Sequence, residues 1–274
     1  MTLIVAICIC DGENQGILFS SDSQATMGPL TYRVHKVAPI CEPNTDEPLA
    51  IAAGAGDAAM VKKAIDISKQ ILCETSNREW ENRTPTFDQF KQTVSEIEIA
   101  LIDKIQFYKS RCLNLDFAFL LGSVSPDGIA SLYFLDERGL AQPVQSDPGF
   151  ACIGSGFFLG GNLLLQQFYS ENMELDNAVD LTTYVINQVS MVDSSVGPFE
   201  GESWYFRLQD GKPFIGGLIV GSRFFKNLWR DYDLRQKLLK YVWQESLVID
   251  PKEFGRIIKK CVKKRAKEDE KKSK

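Results

Sequence analysis

The chain has 274 residues, of which 44% are hydrophobic and 24% charged, and its formal net charge is −5. This length allows one large domain, or one domain with an extension, and a sizeable core. The acidic balance argues against general nucleic-acid binding, and the lack of a run of about 18 apolar residues argues against a membrane-spanning helix.

Cysteine and histidine usage narrows the possible chemistry. The seven cysteines are odd in number and form no C-x-x-C pair, which favours reduced thiols over a disulfide framework or a zinc site. The N-terminus lacks a basic segment and a small-residue cleavage site, so no signal peptide is predicted and the expected location is cytoplasmic. His35 is the only histidine, which excludes a multi-histidine metal site. The sequence therefore implies no metal and no organic cofactor.

The first part of the chain predicts strands followed by two helices. Apolar runs and alternation predict strands over residues 3–10, 17–22, 32–39 and 49–53. The last of these strands leads into a small-residue turn at 53–57. Apolar residues at three- and four-residue steps then predict helices over 57–75 and 86–110, with Thr86 as the N-cap of the second.

The rest of the chain repeats this alternation of blocks. Strands are predicted over residues 116–123, 129–135, 139–145 and 150–153, helices over 156–170 and 175–192, and strands over 203–208 and 213–220. Helices that arrive in pairs between blocks of strands favour an α+β fold, in which helix pairs cover antiparallel sheets.

The C-terminal segment differs in composition from the rest. Residues 1–222 are predicted to form one domain, and residues 223–274 a helical C-terminal extension. Its lysine-rich end is typical of a flexible, solvated tail. Docking of this tail on an acidic partner or on nucleic acid is the alternative.

The second residue offers a nucleophile. If Met1 is removed, Thr2 carries a hydroxyl and a free α-amine, so one residue supplies both the nucleophile and its general base. The ordinary pKa of such an amine is about 7.7–8.0, so a substantial fraction is neutral near pH 7. A lysine ammonium nearby would lower that pKa and stabilise negative charge on the hydroxyl oxygen.

Three further residues complete such a site. Asp22 ends the second predicted strand and could orient a lysine, Lys36 lies in the third, and Gly54 lies in the small-residue turn, where a backbone N–H could bind an oxyanion. Each signal is weak alone, because an aspartate at a strand end usually belongs to a turn and a strand lysine usually faces solvent.

The order and spacing of these residues resemble those of a known family. The shared motifs are T-x-x-V-A from Thr2, D-S-Q-A-T-x-G from Asp22, V-x-K-V around Lys36, A-G-A-G-D from Ala53, G-S-G at 154–156 and D-S-S-V-G at 193–197. The pattern is similar to the catalytic β-type subunits of the proteasome and their bacterial HslV relatives, which are N-terminal-nucleophile hydrolases. The resemblance covers about residues 2–220 and implies a four-layer αββα sandwich.

The resemblance also implies roles for individual residues. Thr2 would be the nucleophile and its amine the base, acting through a water. Asp22 would orient Lys36, which tunes both groups, and the Gly54 N–H would form the oxyanion hole. From the second half of the chain, Ser155 and Asp193 would support the N-terminal amine.

The resemblance also implies a substrate pocket, and the sequence departs from the family pattern at a few positions. Residues near Ala25, Val34 and Ala52 would line the pocket for the substrate side chain. Gln24 replaces the arginine usual after D-S, as in HslV. The serine expected three positions after Asp193 is absent, and Ser194 or Ser195 is left to substitute for it. The segment after residue 222 has no counterpart in a minimal subunit.

The implied function is a threonine-dependent peptidase or amidohydrolase that works through an acyl-enzyme on Thr2. The alternatives are a peptide ligase of connectase type, in which an amine intercepts the acyl-enzyme, and a non-catalytic structural subunit of a proteasome-like assembly. The implied partners are a peptide or unfolded protein substrate and further copies of the chain, with a ring as one arrangement and an ATPase as a candidate partner. Neither nucleic acid nor membrane is expected as a partner.

Overall fold

The computed structural model describes residues 2–27, 30–80, 84–113, 116–199 and 202–219. The predicted C-terminal extension, residues 223–274, and the predicted boundary at residue 222 lie outside these ranges. The division into two domains therefore stays a prediction.

Five antiparallel strands form the first sheet. They are β1 (Ile4–Asp11), β2 (Asn14–Ser21), β10 (Phe150–Ile153), β11 (Glu202–Gln209) and β12 (Lys212–Ile219). Their order across the sheet is β10-β1-β2-β11-β12. Strand β1 lies near the centre, and Ile4 to Ile9 along it are all buried. This burial on both faces explains why the sequence of β1 is continuously apolar rather than alternating.

A second antiparallel sheet also has five strands. They are β5 (Val37–Cys41), β6 (Pro48–Gly56), β7 (Phe117–Val124), β8 (Ala130–Leu135) and β9 (Ala141–Pro143), and they follow one another in chain order across the sheet. Strands β3 (Gln24–Met27) and β4 (Leu30–Arg33) pair only with each other, as a separate two-stranded sheet. The chain thus leaves the first sheet after β2 and enters the second at β5.

Four α-helices pack on the sheets. They are α1 (Ala58–Glu79), α2 (Phe87–Lys109), α3 (Gly161–Phe168) and α4 (Leu175–Ser190). Helix α1 contacts β6 and β7, α2 contacts β8, α3 contacts β10, and α4 contacts β1 and β2. The Asp57 side chain caps α1 by accepting from Met60 N, and Thr86 caps α2 with a complete capping box. Within the described ranges, no helix combines the length and apolarity needed to cross a bilayer.

Two hydrophobic cores hold these elements together. The first lies between the two sheets and joins residues such as Phe19 of β2 and Leu120 of β7. The second lies between the second sheet and helices α1 and α2, where Phe90 and Phe119 are buried. Each such side chain contributes about 1.5–3 kcal/mol when it is removed from water.

The predicted fold class is wrong. The described residues form two antiparallel five-stranded sheets, a separate hairpin and four α-helices, which is a mixed α+β fold and not a clear four-layer αββα sandwich of N-terminal-nucleophile type. Two features depart from a regular sandwich. Helix α3 has only 8 residues, so the first sheet lacks a matched helix pair, and β3 and β4 belong to neither large sheet.

Local predictions differ from the structure mainly in the first half. The strand predicted over 32–39 is split into β4 and β5, with residues 34–36 in neither. The turn predicted at 53–57 is wrong, because β6 continues through it to Gly56. The helix predicted over 156–170 is a short 3-10 turn (Ser155–Phe157) followed by the shorter α3. Both long helices, α1 and α2, are confirmed.

Candidate active site

A buried carboxyl oxygen of Asp22 joins the two residues predicted to carry the chemistry. Asp22 directly follows β2 and is fully buried. Its Oδ1 accepts a hydrogen bond from Thr2 Oγ1 at 2.7 Å and one from Lys36 Nζ at 2.8 Å. The same oxygen accepts from the backbone N of Leu3 at 2.7 Å. A hydroxyl and an ammonium therefore converge on one anionic atom.

The second carboxyl oxygen of Asp22 is held by backbone donors. Its Oδ2 accepts from Gln24 N at 3.2 Å and from Gly197 N at 3.1 Å. A buried charge is tolerated only when it is paired and hydrogen-bonded, and Asp22 meets both conditions. One of these donors lies 175 residues away in the sequence, so the surroundings of Asp22 draw on both halves of the chain.

Lys36 is a buried lysine with acceptors around its ammonium. Its side chain is only 7% exposed, and Nζ donates to the Gln24 carbonyl as well as to Asp22. Burial lowers the pKa of Lys36, and this effect exceeds the opposing attraction of the Asp22 and Glu202 carboxylates. A lysine with a lowered pKa gives up its proton more readily than an exposed lysine does.

Thr2 sits beneath a tight turn from the second half of the chain. It is 6% exposed, and its carbonyl accepts from Gly156 N at 3.4 Å. Gly154 has φ +97°, and a Cβ at that position would lie 2.2 Å from the Thr2 carbonyl oxygen. Only glycine allows this conformation and this approach. The G-S-G motif thus packs directly against the candidate nucleophile.

Ser155 and Asp193, which were both predicted to support the Thr2 amine, are hydrogen-bonded to each other. Ser155 Oγ donates to Asp193 Oδ2 at 3.2 Å and lies 3.4 Å from Ser195 Oγ. The backbone N of Ser195 donates to Asp193 Oδ1 at 2.9 Å, and its hydroxyl donates to the same oxygen. Ser195 is therefore the residue of the D-S-S-V-G segment that joins the cluster, whereas Val196 is buried in the core.

The loss of folding stability at acid pH is expected to depend on Asp193. Burial raises the pKa of its carboxyl, but hydrogen bonds from Ser195 and Ser155 outweigh burial, so the net pKa is below the ordinary value. A carboxyl with a lowered folded-state pKa stabilises the fold above the unfolded pKa of about 3.9, and this contribution is lost as pH falls through the folded pKa. Asp193→Asn should therefore flatten the acid limb of urea unfolding midpoints. Parallel wild-type and variant curves would contradict this, and Asp127→Asn, on an exposed turn, is the control.

Gly54 lies inside a strand rather than in a turn. It is buried in β6 opposite Phe119 of β7, and the neighbouring Ala53 pairs with Val37, the residue after Lys36. A Cβ at position 54 would lie 2.6 Å from Val61 Cγ1 of α1. Close packing of helix α1 is therefore sufficient reason for a glycine at this position, independently of any role of its N–H in binding an oxyanion.

Helix packing at Gly54 can be tested directly. Gly54→Ala is expected to cost about 1–3 kcal/mol of unfolding free energy, because the added methyl overpacks the contact with Val61. Adding Val61→Ala should relieve the overlap, so the double variant should be more stable than the sum of the single changes predicts. Urea unfolding measures both. Strict additivity would show that Val61 is not what the methyl meets.

The predicted substrate pocket is only partly described. Ala52 is fully buried among the residues that pack beneath α1 and α2. Val34 is partly buried, and its N–H donates to the Ser23 carbonyl at 2.9 Å. Ala25 lies in β3, and its side chain is outside the described part of the structure. The pocket stays a prediction.

Two contributors to the site were not found from the sequence. Gly197 donates to Asp22, and Glu202, at the start of β11, accepts from the backbone N of Lys36 at 3.2 Å. A carboxylate at the first position of a partly buried strand was the available signal for Glu202. In the ranges that the structure describes, no group of three or more His, Cys, Asp or Glu is arranged to hold a metal ion.

Comparisons with known proteins identify similar folds. No protein-family model and no curated protein matches the chain. The solved structure of Anbu (ancestral beta-subunit) from Yersinia bercovieri has a TM-score of 0.63 at 13% identity and covers 89% of this chain and 97% of that one. Anbu from Hyphomicrobium sp. strain MC1 has a TM-score of 0.60 at 18% identity, covering 87% and 97%. A Gly-1 mutant of Anbu from that strain has a TM-score of 0.61 at 18% identity, covering 88% and 97%.

These matches correct the family resemblance. The similar solved structures named above are Anbu proteins, not proteasome β-subunits or HslV. At 13–18% identity they establish a shared fold, and they do not show an N-terminal nucleophile in this chain.

Proposed function

We propose that this protein is a threonine-dependent peptidase or amidohydrolase, which acts through an acyl-enzyme on Thr2 once Met1 has been removed. One observation carries the proposal. The Thr2 hydroxyl and the Lys36 ammonium both donate to the same buried oxygen of Asp22, at 2.7 and 2.8 Å. A hydroxyl beside a cation that a fixed anion holds in place is an arrangement that can support acyl transfer by that hydroxyl.

The proposed reaction has two steps. The free α-amine of Thr2 accepts the hydroxyl proton through a water, and Oγ1 bonds to the carbonyl carbon of the amide. The Lys36 ammonium and a backbone N–H, for which Gly54 is the candidate, stabilise the oxyanion. The carbon–nitrogen bond then breaks, and the leaving amine takes the proton from the Thr2 ammonium. Water attacks the resulting ester in the second step, which releases the acid and restores the hydroxyl.

The supporting residues have distinct roles in this proposal. Asp22 fixes Lys36 and holds the Thr2 hydroxyl until a substrate arrives. Ser155 and Asp193 form a second anionic cluster beside Thr2, reached through the Gly156 N–H on the Thr2 carbonyl. We assign this cluster to the Thr2 amine, because a carboxylate nearby would stabilise the ammonium that forms within each step, after the amine has accepted a proton.

A structural subunit is the second candidate, and one observation favours it. Thr2 is 6% exposed and its hydroxyl is already hydrogen-bonded, as expected for a threonine with a purely structural role. The name of the Yersinia protein, ancestral beta-subunit, supports assembly of this chain with further copies of itself in either case. The first proposal also includes assembly into a ring, an ATPase partner, and a peptide or unfolded protein as the substrate, all in the cytoplasm.

The mature N-terminus tests the proposal most directly. Intact-mass measurement of the purified full chain is expected to show that Met1 is absent. Incubation with an epoxyketone peptide should then add one inhibitor mass at Thr2, because this reagent bonds both a hydroxyl and a free α-amine on the same residue. Thr2→Ala, which keeps the amine and lacks the hydroxyl, is the matched control. Retention of Met1 on all molecules would exclude the mechanism.

A further inference from the structure

Glu202 is a nearly buried carboxylate that the proposed reaction does not use. Its side chain is 8% exposed and it begins β11. It pairs in register with Ser21, the residue before Asp22, and its Oε2 accepts from Ser21 Oγ at 2.9 Å. Glu202 therefore lies across the strand pair from the end of β2, where the Asp22 carboxylate begins.

The same carboxylate holds the backbone of the lysine segment. Glu202 Oε2 accepts from Lys36 N at 3.2 Å, and Oε1 accepts from Val37 N at 3.4 Å. Residues 34–36 belong to no strand, so the Lys36 N–H depends on this contact in place of a sheet ladder. Hydrogen bonds to an ionised acceptor are stronger than those to a neutral one, which favours a fixed backbone at this point.

Lys36 is thus held at both ends by different carboxylates. Glu202 binds its backbone N, and Asp22 binds its Nζ at 2.8 Å. We propose that Glu202 is the positioning residue for Lys36, holding the lysine backbone so that the ammonium meets Asp22 beside Thr2. Its effect on turnover rests on the proposed function, whereas its effect on the position of Lys36 does not.

The charges around Lys36 agree with this assignment. Asp22, at the end of β2, and Glu202, in β11, both face the lysine, and His35 beside it places Nδ1 3.3 Å from Glu202 Oε1 with its side chain 94% exposed. Burial lowers the pKa of Lys36, and both carboxylates oppose burial. A change at Glu202 should therefore alter both the location and the reactivity of the lysine.

Amine labelling of Lys36 tests the inference without relying on catalysis. The full chain is pulsed with an amine-acylating reagent across a pH series, and Lys36 labelling is read by peptide mass spectrometry. In Glu202→Ala the labelling rate should rise at least about tenfold as the ammonium leaves its buried position, which corresponds to the loss of one hydrogen bond to a charged acceptor. Glu202→Asp, which keeps the charge, should restore slow labelling in part. Glu13→Ala, on the exposed turn between β1 and β2, should leave it unchanged.

The outcomes separate this inference from the proposed function. If the protein is an amidase, Glu202→Ala should also lower kcat about 10- to 100-fold with KM unchanged. A wild type without amidase activity would overturn the proposed function, and the labelling result would still decide the role of Glu202. Should Glu202→Ala not fold, the equally sized Glu202→Gln is measured instead and should show a smaller rise in the same direction. Lys36 labelling that matches wild type in the folded variant would overturn the inference.

Discussion

Thr2→Ala is expected to abolish amide cleavage, with a loss of at least about 10³-fold in kcat/KM. The substitution removes the atom that would form the acyl-enzyme, and no other hydroxyl is hydrogen-bonded to Asp22 among the described residues. The fold should survive, since Asp22 keeps its backbone donors and Lys36. The lost hydrogen bond to a charged acceptor should cost about 1.5 kcal/mol of unfolding free energy. Steady-state kinetics on fluorogenic peptide amides and urea unfolding measure the two effects.

Two further variants serve as controls for Thr2→Ala. Thr2→Ser retains a primary hydroxyl and should retain measurable cleavage, because the nucleophile and amine are both present. Thr45→Ala removes the same hydroxyl and methyl from an exposed turn and should leave kcat/KM unchanged. Cleavage by Thr2→Ala at the wild-type rate would remove Thr2 from the mechanism and favour a structural role for its hydrogen bond.

Asp22→Ala is expected to produce the largest loss of stability, about 3–5 kcal/mol of unfolding free energy. The substitution leaves the Lys36 ammonium buried without its ion-pair partner, which is a costly arrangement. It also leaves a cavity and removes the acceptor from the Leu3, Gln24 and Gly197 N–H groups. Urea unfolding of the single variant and the wild type at neutral pH measures the effect.

A double-mutant cycle isolates the part that comes from the ion pair. Lys36→Met replaces the ammonium with an apolar side chain, so Asp22→Ala should cost less in the Lys36→Met background than in the wild type. Asp127→Ala removes an exposed carboxylate and should change stability by less than about 0.5 kcal/mol. A cost for Asp22→Ala that is independent of residue 36 would show that the backbone donors, not the lysine, account for the stabilisation.

Elements with local signals could be predicted closely from the sequence. Helix α2 was predicted at 86–110 and lies at Phe87–Lys109, because its apolar periodicity and the Thr86 cap are encoded within the segment itself. Strand β6 was predicted too short, because A-G-A-G is typical of a turn. In the structure these small residues continue the strand where Val61 of α1 packs against Gly54. The need for a small residue at position 54 comes from a helix in another layer, and the local sequence pattern carries no information about that helix.

The candidate site likewise combines residues that the sequence predicted with residues that only distant contacts bring in. Thr2, Asp22 and Lys36 lie within 34 positions of one another in the sequence, and the resemblance of their order to a family pattern predicted that they meet. Glu202 and Gly197 reach the same place from more than 160 residues away. Strand pairing between β2 and β11 brings Glu202 to the lysine. The sequence around Lys36 contains no signal that predicts this pairing. The layered fold class failed for a related reason, since it rested on the resemblance rather than on contacts.

The hydrogen bond from Gly197 to Asp22 has a consequence for biosynthesis. The ribosome makes Thr2, Asp22 and Lys36 first, yet Asp22 gains its donor from Gly197, and Thr2 its cover from Gly154 and Gly156, only after most of the chain has emerged. Contacts this distant form late in folding. A nascent or truncated chain thus carries the threonine without the surroundings that would make it reactive. On the proposed mechanism, the site would then become competent only once the fold is complete and Met1 has been removed.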